Sequence, residues 1–115
     1  MKWNKLTSAE QLKNLVAEST EKPVLIFKHS TRCSISAATL DRLERNWNET
    51  EMASWRPYYL DLIAYREVSN AIAHILGVEH ESPQAIVLHK GEPVYDASHF
   101  SISYQDIRSA VQASL

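Results

Sequence analysis

Apolar positions recur with helical spacing in four stretches of the chain and run together as short strands in four others. Ser8-Ala9-Glu10-Gln11 has the form of a capping box, with Ser8 accepting from an early backbone N–H and Gln11 reaching back. Leu12, Leu15 and Val16 follow at helical spacing, which predicts a helix from about Ala9 to Ser19. Pro23 then opens the apolar run Val24-Leu25-Ile26-Phe27. A buried helix gives a similar run. Four residues behind a proline fit a central strand covered on both faces better. Ile35, Ala38, Leu43 and Trp47 mark one face of a second helix, which Ser30, Thr31 or Ser34 is placed to cap.

The aromatic and aliphatic segment Trp55–Ile63 reads as a second strand, with Pro57 near its start. Val68, Ile72, Ile75 and Leu76 predict a third helix ending at Gly77. Ala85–His89 reads as a third strand, turned by Lys90-Gly91-Glu92-Pro93 into a fourth at Val94-Tyr95-Asp96. A last helix begins near Ser103, with Ile107, Ala110 and Val111 as its stripe. The strand–helix–strand unit from Val24 to Ile63 requires a parallel pair with a right-handed crossover. The last two strands pair as an antiparallel hairpin. The expected class is α/β, with a mixed four-stranded sheet flanked by helices on both faces.

Composition narrows the functions. The 115 residues make one domain, spanning 1–115, without repeats or linkers. Twelve basic residues stand against 14 acidic ones, a net charge of −2, so no nucleic-acid-binding face is implied. No apolar stretch resembles a signal-peptide core or a membrane span. A single cysteine forms no internal disulfide, which fits a reducing compartment and places the chain in the cytoplasm. The five histidines are dispersed and, with one cysteine, give no zinc spacing, so no metal site is expected.

The remaining chemistry gathers at Cys33, between a strand end and a helix start. Unpaired N–H groups and the helix dipole stabilise an anion there. Thiols so placed have pKa values between about 3.5 and 7.5, against roughly 8.5 when free, and the thiolate is the nucleophile. Arg32 adds positive charge, and Ser34 and Ser36 are possible donors to the sulfur. The alternative is a small apolar cysteine buried in the core, which the polar neighbours disfavour. His29 is close enough in sequence to tune the thiolate or relay a proton, but a strand-end histidine facing partly to solvent is the favoured reading. Asp61 is either a buried proton acceptor or the mark of its strand's exposed end, and the latter is favoured. Trp3, Trp47 and Trp55 read as packing residues. Ser82-Pro83, just before a buried strand, is a candidate cis peptide.

A strand leading to a cysteine at a helix start, followed by a Ser-Pro that opens the penultimate strand, resembles the thioredoxin fold. The resemblance implies a cis Pro83 facing Cys33, with the backbone of Ser82 docking substrate. Cys33-Ser34-Ile35-Ser36 then stands in the place of a Cys-x-x-Cys motif, with Ser36 where a resolving cysteine would be. More closely, Phe27-Lys28-His29-Ser30-Thr31-Arg32-Cys33-Ser34-Ile35-Ser36 and the Ser-Pro-Gln at 82–84 resemble the monothiol bacilliredoxins. Ser34 replaces the proline that follows the cysteine in that family, and a first helical turn accepts either residue.

The resemblance implies a thiol–disulfide oxidoreductase that removes bacillithiol from mixed disulfides on cytosolic proteins. Bacillithiol would be a co-substrate rather than a bound cofactor. The implied partners are S-thiolated proteins, a low-molecular-weight thiol and a regenerating reductase, with no nucleic acid and no membrane. Nothing in the residues separates bacillithiol from glutathione. A protein of another class, a non-catalytic redox sensor or partner-binding module modified at Cys33, is the alternative.

Overall fold

The structure, a computed structural model, describes residues 1–113. Its elements in chain order are β1 (Asn4–Lys5), α1 (Ala9–Glu18), β2 (Val24–His29), α2 (Ser34–Asn46), β3 (Arg56–Asp61), α3 (Arg66–Leu76), β4 (Gln84–His89), β5 (Glu92–Ser98) and α4 (Tyr104–Ala113), with a 3-10 turn at His99–Ser101. The sheet order is β1-β3-β2-β4-β5. β1, β3 and β2 run parallel, and β4 and β5 add antiparallel.

The sheet therefore has five strands and not the four expected. The extra strand is β1, whose two residues are both exposed and carry no alternation to read. Pairing holds it: Asn4 and Lys5 lie beside Tyr58 and Tyr59, and the Leu6 N–H donates to the Tyr59 carbonyl at 2.9 Å. Trp3 packs its indole against the rings of Phe27 and Tyr59.

β2 is the spine, with all six residues buried. Successive side chains of a strand point to opposite faces. Val24 and Ile26 join Leu12 and Leu15 of α1 and Val68 and Ile72 of α3 in one core. Leu25 and Phe27 join Leu43 of α2 and Ile107 of α4 in the other. Helices cover both faces, as expected. Each fully buried Leu, Ile or Phe contributes about 1.5–3 kcal/mol.

The local signals read from the chain close where they should. Ser8 and Gln11 form the capping box of α1. Gly77 ends α3 in the left-handed conformation, with φ 68°. Lys90 and Gly91 both take positive φ in the β4–β5 hairpin, where the Gly91 N–H donates to Ser19 Oγ at 3.0 Å. Ser103 caps α4 by accepting from the Asp106 N–H at 3.1 Å. No helix among the described residues is long and apolar enough to cross a membrane.

Candidate active site

The carboxyl ends of β2 and β3 and the start of β4 meet at one end of the sheet. Lys28 pairs with Gln84 at the last step of the β2–β4 ladder. Pro83 stands one residue before β4 begins; His29 ends β2, and the Ser30–Cys33 turn follows it. The Ser82–Pro83 bond is cis and Pro83 is buried.

Cys33 is the N-cap of α2, a free thiol of intermediate exposure. The turn before it closes through the Cys33 N–H and the Ser30 carbonyl at 3.1 Å, and its own carbonyl accepts from Ala37 at 3.1 Å. An N-cap side chain ordinarily accepts from the N2 or N3 backbone N–H. Here no side-chain cap bond forms, and the sulfur sits at the positive end of a thirteen-residue helix with its capping capacity unspent. Neither Ser30 nor Thr31 caps this helix, and Ser34 is its first residue.

The side chains expected around the sulfur are placed differently from one another. Arg32 and Ser34 are exposed. Ser36 is fully buried, and its hydroxyl is engaged away from the thiol: it accepts from the Ser30 N–H at 3.1 Å and pairs with His29 Nδ1 at 2.7 Å. Among the described residues, no hydrogen bond is made to Cys33 Sγ. His29, read as a strand-end residue facing partly to solvent, is only 7% exposed, because its ring lies against Phe27 and Tyr59 on the α2 face. Burial lowers its pKa, against the opposing pull of Asp61 and Glu44, and keeps the imidazole neutral. The Ser36 hydroxyl and His29 thus form a neutral latch between the end of β2 and the first turn of α2, across the loop that presents Cys33. Sequence reasoning connected both residues to the thiol but missed their bond to each other.

Replacing Ser36 by alanine leaves a buried imidazole nitrogen and a backbone N–H without partners. The expected cost is about 1–3 kcal/mol in urea unfolding. An unchanged midpoint would mean that the latch carries no weight.

Asp61 ends β3 opposite His29 and accepts from the Ile63 and Ala64 N–H groups, both at 3.2 Å. It organises the following turn, in keeping with its reading as a strand-end residue. Ser82 is half-buried, and its Oγ is shielded from solvent without a partner. Among the described residues, no group of three or more His, Cys, Asp or Glu side chains is placed to hold a metal.

A single half-exposed thiol at a helix start, at the same end of the sheet as the Ser82–Pro83 segment, is an arrangement for thiol–disulfide chemistry. The profile of the monothiol bacilliredoxin family matches residues 4–107. The chain belongs to that family. A solved structure described as an oxidoreductase with a thioredoxin fold is 34% identical, covers 93% of this chain and 91% of its own, and superposes with a TM-score of 0.79. Thioredoxins from Trypanosoma brucei brucei and Malassezia sympodialis share the fold at 14% and 15% identity. Their TM-scores are 0.73 and 0.72; the alignments cover 98% and 97% of this chain and 90% of each of theirs. Family and fold together assign this bacilliredoxin a thiol redox function. With one cysteine it is monothiol.

Proposed function

We propose that this bacilliredoxin removes a small thiol, bacillithiol first among them, from mixed disulfides on cytosolic proteins. The observation that carries the reading is the occurrence of a half-exposed Cys33 at the N-cap of α2 with a buried, hydrogen-bonded Ser36 where the motif's second cysteine would stand. One thiol is available to attack and none to resolve.

In the first step the Cys33 thiolate attacks the bacillithiol sulfur of the modified protein. That disulfide breaks, a new one forms between Cys33 and bacillithiol, and the protein cysteine leaves as a thiolate that takes a proton from water. Disulfide number is conserved. In the second step a low-molecular-weight thiol, or the thiol of a partner reductase, attacks the bacillithiol sulfur on Cys33. Cys33 leaves as thiolate, and the attacking thiol keeps the disulfide.

Exposed apolar side chains support a protein as the substrate. Five large ones are exposed among the described residues, and four of them flank the Cys33 end of the sheet. Ile35 lies in the first turn of α2, Ile63 and Tyr65 follow β3, and Phe100 follows β5 with 66% of its surface exposed. Exposed apolar side chains on several elements around one end of the sheet suit a polypeptide better than a small polar thiol.

The test is the rate of thiol release from one substrate protein carrying either bacillithiol or glutathione. Release at least about 10-fold faster from the bacillithiol form, a difference of about 1.4 kcal/mol, is expected. Equal rates would remove the preference for bacillithiol, and no release from either would sink the exchange reading in favour of a redox sensor.

A further inference from the structure

Lys28 is the most unusual residue of the sheet. It alternates with Val24 and Ile26, so its side chain enters the core shared with α1 and α3, and it is 0% exposed. Among the described residues no carboxylate lies within ion-pair distance of it. An ammonium group in such a place is costly, and a methionine would fill the same volume without that cost.

What the lysine gains is a grip on one segment. Its Nζ lies 3.3 Å from His80 Nδ1, and Ser69 Oγ of α3 lies 3.4 Å from the same nitrogen. Its cross-strand partner Gln84, itself buried, donates from Nε2 to the Glu79 carbonyl at 2.9 Å. One register pair of the sheet thus holds two consecutive residues of the segment that leads from α3 to the cis Pro83. That segment, residues 78–82, lies outside any helix or strand. Its further polar tie is a wide Glu81–His99 contact of 3.9 Å, and from the other side the Pro83 carbonyl receives the His99 N–H at 3.0 Å.

We propose that Lys28 is a positioning residue, which acts through His80 to set the Ser82–Pro83 segment for a protein substrate. The inference rests on the reading above that Ser82 docks the substrate chain. Lys28 approaches the segment from the face opposite His29 and touches no reacting atom, so its removal alters docking and leaves thiol chemistry intact.

The test is Lys28→Met in the full chain, read by three measurements. KM for a bacillithiol-modified protein is expected to rise about 10-fold with kcat within about twofold, the signature of lost binding common to ground and transition states. Alkylation of Cys33 by iodoacetamide is expected to stay within about twofold of wild type. Amide exchange across 79–82 is expected to quicken by about 10-fold or more as the local tie is lost. His80 is exposed, so His80→Leu keeps the fold and is expected to reproduce the split, while His80→Gln, which retains an acceptor, restores most of the affinity. An unchanged KM, or unchanged exchange across 79–82, in folded Lys28→Met overturns the proposal. A wild-type protein inactive on thiolated protein would overturn the exchange reading alone; amide exchange would then decide whether Lys28 holds the segment.

Discussion

Lys28→Met is expected to unfold at higher denaturant than the wild type at neutral pH, and to lose most of the wild type's pH dependence in mildly alkaline solution. Burial lowers the Lys28 pKa from 10.5 to about 8. Between those values the folded chain has released a proton that the unfolded chain still holds. The unfolded state binds more protons, so wild-type stability rises with pH across this window. Below it both states are charged, and the folded state carries the whole desolvation penalty. The gap between 10.5 and about 8 corresponds to on the order of 3 kcal/mol.

The wild type should therefore gain roughly 2 kcal/mol between about pH 7.5 and 9.5, while Lys28→Met stays nearly flat. Burial raises the Tyr58, Tyr59 and Tyr95 pKa values above the usual 10, which opposes the lysine at higher pH, so the comparison belongs below that. At pH 7 the variant should be the more stable by roughly 1–3 kcal/mol, after loss of the bond to His80. A variant less stable than wild type, or a wild-type curve without the alkaline rise, would contradict a charged Lys28 in the core. A residue that lowers stability while holding the segment that leads to Pro83 is a cost of the kind functional sites carry.

Cys33→Ser makes the second large effect, and it has two parts of opposite sign. Thiol transfer should vanish, because a serine hydroxyl forms no disulfide. Stability should rise by about 0.5–1 kcal/mol, because serine is a preferred N-cap while this cysteine leaves the cap bond unmade. Thermal unfolding and a thiol-release assay on one preparation separate the parts. A variant that is inactive and also destabilised would point to a packing role for Cys33.

The elements that bury a clear stripe or run were legible in the chain. The Ser8–Gln11 capping box, the Ser103 cap, Gly77 and the Lys90-Gly91 turn located most boundaries, because each is a local signal with a local cause. β1 was not legible, since two exposed residues held by pairing to Tyr58 and Tyr59 carry no pattern of their own. Cys33 and the Ser82-Pro83 pair stood out through residue type and order. The His29–Ser36 latch did not, since it depends on a hydroxyl turning away from the sulfur it was expected to serve. Lys28 was hidden by its charge: a lysine after Val24-Leu25-Ile26-Phe27 looks like the strand's end, although the period of two already set it on the face of Val24 and Ile26. The exposure of Phe100 follows from the 3-10 turn after β5, where His99 takes a positive φ of 54° that its residue type does not announce.

The most direct measurement of the central claim is intact mass spectrometry under non-reducing conditions. Wild-type chain and Cys33→Ser are each mixed with a bacillithiol-modified protein, and both partners are weighed over time. The account predicts that the bacillithiol mass appears on the wild-type chain at Cys33 as the substrate protein loses it, and that neither mass changes with Cys33→Ser. A wild-type chain that stays unmodified while the substrate keeps its adduct would contradict it.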